Sequence, residues 1–435
     1  MNQNAKHWKH CLEHAAVSDV GLRRRNNQDA QVVVLADSEK TWQQQGHLFI
    51  VADGMGAHAA GELASKLAVD NVPLTYNKLR HRPPPDALRE ALLDANTQIH
   101  NRGQASEDFR GMGTTISALA ILPEGAVVAH VGDSRVYRLR DHVLEQLTFD
   151  HSLVWEVCAA EGIPESEAPS YIPRNVITRS AGPNAEVQVD LEGYFPLEEG
   201  DTFLLCSDGL SGLVYDRELG TVLGSMPTEE ALQTMVDLAV LRGGPDNITG
   251  VAVRITSPDL IGNRADNPAA ADNGLRRTNG STWVILAICA LAAASLGWLA
   301  VTGHAVVAVA GLVGVLAVGL VTLLVRHSEH AAVGTLLDPH KLGKGPYTRF
   351  ECAPDAEFAN HLAEMLRELR TTADSRNWTV DWARVGGFVD CARTAAEKSD
   401  FARAVREYCR ALRFVTGQLR GQPPRDADDG DTALV

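Results

Sequence analysis

At 435 residues the chain exceeds one ordinary domain, so two or more units are expected, and the N-terminal stretch alone is long enough to bury a large core. A formal net charge of -15 argues against nucleic acid as a partner, because counterion-releasing phosphate contacts need clustered Lys and Arg; the acidity fits metal ligands and a soluble cytosolic surface. The seven cysteines are scattered without a CxxC pair, which predicts reduced thiols rather than a disulfide framework.

The first residues, MNQNAKHWKHCLEH, contain no apolar core of a secretory signal, so no cleaved leader is expected. A basic stretch, GLRRRNNQDA, then carries Arg24, Asn27, Gln28 and Asp29. The run HLFIVA predicts a buried strand ending on Asp53-Gly54-Met55-Gly56. Helical patterns follow over 61–79 and 86–102, the second with Leu88, Leu92, Ala95 and Ile99 on one face. After Gly111-Met112-Gly113, residues 114–147 change to strand patterns, with turns at Pro123-Glu124-Gly125 and Arg140-Asp141-His142 and with Gly132-Asp133-Ser134-Arg135 between them. TFLLCS predicts another strand, with Cys206 as a small core residue, ending on Asp208-Gly209; Asp246-Asn247 stands just before ITGVAVRI. Strand runs beside helix pairs predict a layered α+β domain.

Three aspartates, Asp53, Asp208 and Asp246, therefore sit at the ends of apolar runs. Asp-Gly is a common turn dipeptide, and each motif alone reads as a turn. Several such ends meeting would instead gather carboxylates whose ionisation needs a cation or donor network.

Beyond the first unit, residues 257–282 are rich in Asn, Asp, Pro, Ala and Gly and read as a flexible linker. Residues 283–325 hold no Asp, Glu, Lys or Arg, which predicts two membrane spans, 283–302 and 305–325, joined at Thr302-Gly303-His304. Trp283 and Trp298 suit interfacial positions, and Arg276, Arg277 and Arg326 flank the pair, so both ends are expected in the cytoplasm. Gly311, Gly314 and Gly319 allow close helix contact, either between copies or within the hairpin. Residues 326–420 read as a helical cytoplasmic domain and 421–435 as an acidic disordered tail. Phe388, Ala392, Ala404, Tyr408 and Ala411 have the spacing of one tetratricopeptide-type helix pair, although Ala395 replaces an aromatic and no closing Pro follows. The alternative is a plain helical hairpin packed on residues 357–369.

The ordered series RxxNQD, ADGMGxxxxGExAS, GMGTT, HVGDSR, CSDGL and DNIT resembles the metal-dependent Ser/Thr protein phosphatases of type 2C, the PPM family, in their bacterial form. The resemblance covers about the first 255 residues. It implies a β-sandwich of two antiparallel sheets flanked by helix pairs, here followed by the transmembrane hairpin and a small all-α C-terminal domain. It also implies two divalent ions, Mn²⁺ or Mg²⁺, which prefer oxygen ligands and can activate water.

Carried onto this chain, the resemblance implies that Asp53 bridges the ions, that the Gly54 carbonyl ligates one, and that Asp208 and Asp246 ligate the other, with Asp29 acting through water. Arg24 stands where the family's phosphate-binding arginine lies; the alternative is that it is one of three solvated arginines with Arg23 and Arg25. Asp133 resembles the ligand of a third metal, or serves as a strand-end hydrogen-bonding group. Residues 150–196 match the variable flap beside the cleft, expected to influence which phosphoprotein fits. Gln28 replaces the Glu of many relatives and Ala57 a second Gly; animal relatives carry His where Met55 stands, so the general acid is open between His58 and a metal-bound water.

The expected function is a membrane-anchored phosphatase acting on phosphoserine and phosphothreonine by direct water attack, with phosphorylated proteins, Ser/Thr kinases among them, as partners. A separate protein partner for the C-terminal helices is a further expectation. The alternatives are a phosphoprotein-binding scaffold and a membrane signal transducer of weak activity. Retention of Asp53, Asp208 and Asp246 disfavours the first, and the short turn between the spans disfavours the second.

Overall fold

The computed structural model describes residues 8, 11–57, 59–257, 260 and 342–420. These belong to one unit, Met1–Gly262 together with Leu342–Val435. In its first sheet the order is β1 (Leu12–Asp19), β11 (Ile248–Ile255), β10 (Thr202–Cys206), β7 (Arg135–Arg140), β8 (Val143–Gln146) and β12 (Thr348–Glu351). In the second it is β2 (Asp29–Val34), β3 (His47–Met55), β5 (Ile116–Leu122), β6 (Gly125–Val131) and β9 (Asp190–Phe195), with β4 (Gly113–Thr114) on the end of β3. Every pairing is antiparallel.

Strand β3 shows why these segments are apolar throughout. Successive side chains of a strand point to opposite faces. Phe49 and Val51 enter the core between the sheets with Phe203, Leu205, Val251 and Val253. Leu48, Ile50 and Ala52 enter a second core under α2 (Ala60–Lys78) and α3 (Pro84–Gln104). Both faces are covered, so no polar alternation survives. Each fully buried Leu, Ile, Val or Phe contributes about 1.5–3 kcal/mol relative to exposure.

The expected helices over 61–79 and 86–102 are α2 and α3, the latter opened by prolines in its first turn, where a missing N–H costs nothing. The expected turn at Asp141-His142 joins β7 to β8, and both residues have positive φ (49° and 62°), the backbone of a primed two-residue hairpin turn. A short helix α1 (Glu39–Gln45), capped by Ser38, connects β2 to β3. Between β8 and β9 lies the flap with α4 (Leu153–Glu161). After β10 come the single turn α5 (Asp208–Ser211), α6 (Asp216–Ser225) and α7 (Thr228–Leu241), the last two covering the first sheet.

The C-terminal part differs from the expected separate all-α domain. It begins with a strand: β12 pairs with β8 and covers an edge that would otherwise expose unpaired backbone groups. Helices α8 (Ala356–Ser375), α9 (Trp382–Glu397) and α10 (Phe401–Arg420) follow. Their buried residues, Leu362, Leu366, Ala392, Val405, Leu412 and others, share one continuous core with Leu232, Val236 and Leu219 of α6 and α7. Arg410 bonds Glu230 at 3.1 Å and Arg406 donates to the Ser225 carbonyl at 2.8 Å across the same contact. Ala404, Tyr408 and Ala411, read as part of a repeat-like pair, are buried here, and α9 with α10 forms a single helix pair packed beside α8. A four-residue strand is too short to show a pattern, which is why β12 was not expected.

Among the described residues no helix is long and apolar enough to cross a membrane. The hairpin over 283–325, the acidic tail, His58 and nearly all of the linker lie outside the described residues.

Because α10 and α7 share one core, Leu412→Ala is expected to destabilise the whole unit by about 2–5 kcal/mol, seen in calorimetry as one transition at a lower midpoint. Two separate transitions, with the catalytic one unmoved, would contradict the shared core.

Candidate active site

Pairing of β3 with β5 stops at Val51, so the strand's last residues pass beyond its neighbour. Asp53 lies opposite Asp29 on β2. Asp208 follows β10, Asp246 precedes β11, and Asp133 follows β6. The structure thus brings Asp29, Asp53, Asp133, Asp208 and Asp246 to one end of the sandwich, where Asp29, Asp133 and Asp208 raise the proton affinity of Asp53, and Asp208 and Asp246 that of Asp29.

Gly54 is required at this corner: a Cβ there would lie 2.1 Å from the Gly61 carbonyl oxygen and 2.5 Å from that of Gln28. The close approach lets the N-terminal turn of α2 and the start of β2 pack directly on the end of β3. Its N–H donates to the Gln28 carbonyl at 3.1 Å.

Neutral hydroxyl and amide groups hold the acids in place. The Thr115 Oγ1 accepts from the Asp53 N–H at 2.8 Å and lies 2.7 Å from Ser134 Oγ. Ser207 Oγ donates to Asp29 Oδ2 at 2.8 Å. Asn247 ties three segments together: its Nδ2 donates to the carbonyls of Val20 and Asn26 at 2.9 and 3.1 Å, and its Oδ1 accepts from the Gln28 N–H at 2.8 Å. That fastens the loop carrying Arg24. Arg24 Nη2 in turn donates to Asp246 Oδ2 at 2.7 Å, with both side chains partly exposed, so Arg24 is not one of three equivalent solvated arginines. Sequence reasoning missed Thr115, Ser134, Ser207 and Asn247 as site residues. All four stand inside its motifs, but hydroxyls and amides carry no distinctive signal of their own.

Burial is the main reason the acids hold their protons. Asp29 is pushed up to about 6, with Asp208 and Asp246 adding to burial and the Ser207 bond opposing it. Asp133 is pushed up to about 8 by burial and then by Asp208 and Asp150. Asp53 rises well above the carboxylate range through burial and then Asp29 and Asp208, and Asp208 is itself raised by burial, with Asp53 opposing. Two buried oxygens, Asp133 Oδ1 and Asp208 Oδ1, have no hydrogen-bond partner among the described residues.

As the side chains stand, no three His, Cys, Asp or Glu groups among the described residues are gathered tightly enough to hold an ion. The donor set nevertheless fits hard divalent cations: oxygen only, buried or half-buried, mutually repelling, with two oxygens unsatisfied among the described residues. Gln28, the departure from the expected Glu, donates through Nε2 to the Gly56 carbonyl at 3.3 Å, a bond a carboxylate could not make. Behind the cluster, His130 and His151 stack at 5.0 Å. Burial, then His151, lowers His130 to about 3, so it is a neutral structural ring. The Gly132 N–H donates to His151 Nδ1, which leaves the Nε2 proton for Asp190 at 3.0 Å.

A family profile described as Protein phosphatase 2C matches residues 24–238. A Streptococcus pyogenes protein named as protein phosphatase 2C-type is 42% identical over 247 residues, covering 56% of this chain and 97% of its own length. The protein phosphatase PhpP of Streptococcus pneumoniae is 37% identical over 257 residues, 57% of this chain and 99% of its own. Among solved structures, the serine/threonine phosphatase of S. agalactiae is 37% identical with a TM-score of 0.50, covering 56% of this chain and 99% of that one. With its strand-end aspartates at one end of the sandwich, and with relatives matched almost end to end, the chain belongs to the protein phosphatase 2C family and is a protein-serine/threonine phosphatase.

Proposed function

We propose that this phosphatase removes phosphate from Ser and Thr of bacterial phosphoproteins, Ser/Thr kinases and their substrates among them, with two divalent ions, Mn²⁺ or Mg²⁺, in the carboxylate cluster. The observation that carries this reading is the pair of buried oxygens on Asp133 and Asp208 that have no partner among the described residues, with Asp208 raising the proton affinity of both Asp53 and Asp133. Asp53 and the Gly54 carbonyl would hold one ion and Asp53, Asp208 and Asp246 the other, with Asp29 behind a water and Asp133 at a third. When bound, such ions acidify water and offset charge on the phosphoryl oxygens.

The chain's own groups do the rest. Arg24 is half exposed and already engaged with a carboxylate, so an arriving phosphate can exchange for Asp246 and accept the guanidinium fork with two oxygens. Thr115 and Ser207 hold Asp53 and Asp29 in register without neutralising them. No step needs a cysteine nucleophile, since the sequence holds no CxxxxxR.

The proposal extends to location. The uncharged stretch 283–325 supports a two-span anchor with both flanking parts in the cytoplasm. In the full chain, a reporter inserted after Ser257 and one fused after Val435 are each expected to report a cytoplasmic position in a membrane fraction; an external position, or a wholly soluble protein, would overturn this.

Asp208→Asn should lower kcat on a phosphothreonine peptide about 100-fold or more, and EDTA should abolish phosphate release until Mn²⁺ is returned. Arg24→Lys should lower kcat/KM about 10- to 100-fold, the loss of one charged hydrogen bond. Wild-type rates for either variant would refute the role given to that residue, and full activity in EDTA would refute the divalent-ion reading.

A pH dependence follows for the metal-free protein. Asp29 and Asp133 hold their protons up to about 6 and about 8 when folded, against about 3.9 for an unfolded Asp. Over that window the folded state binds more protons than the unfolded one, so stability falls as pH rises. The thermal midpoint in EDTA should drop between pH 5 and pH 8, and Mn²⁺ should raise it more at pH 8. An equal Mn²⁺ effect at both pH values would contradict the cluster as the ion site.

A further inference from the structure

The flap has an apolar cluster of its own, in which Trp155, Cys158 and Ile172 are buried and Phe149 packs against them. Tyr347, on the C-terminal segment, joins that cluster from far along the chain. Its ring meets Phe149 edge to face at 5.5 Å, and Phe149 meets Trp155 likewise at 5.3 Å. The relatives are consumed by their match to little more than half of this chain, so residues 342–420 are an addition to what they carry.

The segment is held firmly on both sides of Tyr347. Leu342 exchanges backbone hydrogen bonds with Gly193 of β9. The buried Glu192 carboxylate receives the Gly345 N–H at 2.8 Å and the Tyr347 hydroxyl at 2.5 Å. Gly343, at φ +66°, lies so close that a Cβ would stand 2.0 Å from Glu192 Oε2. The Tyr347 N–H donates to the Gln146 carbonyl at 2.8 Å, and β12 then continues along β8. Residues 342–351 form a strap across one end of the sandwich, with an aromatic plug in the flap.

On its other side the flap is wired to the loop of Asp133. The His151 N–H donates to the Gly132 carbonyl at 2.8 Å, and Arg135 bonds Asp150 and Glu165 at 2.7 Å each. Outward the flap offers apolar surface, with Tyr171 82% and Val176 41% exposed. Such surface suits contact with the polypeptide around a phosphorylated residue; a small phosphate ester would not reach it.

We propose that Tyr347 is a positioning residue for substrate selection: through Phe149 the C-terminal strap fixes the flap, and the fixed flap grips the phosphoprotein while the carboxylate cluster acts unaided on the ester. This rests on the phosphatase reading above and names the part of the chain that tunes it.

The test uses the full chain with Mn²⁺, a phosphothreonine peptide and p-nitrophenyl phosphate, comparing wild type with Tyr347→Ala, Tyr347→Leu and Tyr347→Phe. Loss of one aromatic pair should raise the peptide KM about fivefold in the Ala variant, with kcat and small-ester hydrolysis held within about twofold. Tyr347→Phe keeps the ring and should stay within about twofold of wild type in KM. Hydrogen exchange over residues 153–178 should quicken in the Ala and Leu variants and not in Phe. A peptide KM that stays put while exchange quickens, exchange that stays put, or parallel losses on peptide and small ester would each overturn the proposal. Failure of both Ala and Leu variants to fold would do the same, since the strap would then be a stability element. A wild-type protein inactive on both substrates is a distinct result: it sinks the phosphatase reading and takes this one with it.

Discussion

Mutual repulsion among buried carboxylates is the constraint around which the open end of this sandwich is organised. Asp133 is buried and Asp29, Asp53 and Asp208 are half-buried, so water screens them poorly, and each is easier to protonate for it. A fold selected only for stability would place lysines or arginines among them. Here hydroxyls and amides do the holding: Thr115, Ser207 and Asn247 fix geometry and leave charge unmet. The positive group that reaches in, Arg24, does so from a half-exposed loop at the rim. The cluster is thereby poised for a cation, with the arginine left for an anion.

The layers behind the site serve that arrangement. Strands β3 and β10 are apolar on both faces, so their ends are set by packing from two sides and cannot slide by one residue without turning a core face outward. Deeper in, Arg135 gathers Asp150, Glu165 and the Tyr137 hydroxyl. A buried network of this kind adds little net stability compared with apolar packing, but it fixes orientation, and here it sets the base of the flap relative to the Asp133 loop.

What could be read from sequence was what is local. The strand ending at Asp53, the helices α2 and α3, and the hairpin turn at Asp141-His142 each carry their pattern within a few residues, and the motif order supplied the remaining acids. The Arg24–Asp246 contact joins positions 222 residues apart, and Ser207 reaches Asp29 across 178. No periodicity encodes such pairs; they exist only once both sheets have closed. The strap was missed for the same reason. TRFE is four residues of unremarkable composition whose meaning lies in the free edge of β8, and Tyr347 reads as an isolated aromatic until Phe149 is set beside it.

Leu260 is buried against the inter-sheet core, and the strap begins at Leu342, paired with Gly193. Its register is exacting: a one-residue slip at Leu342 would carry Gly343 off the Glu192 carboxylate and Tyr347 out of the flap.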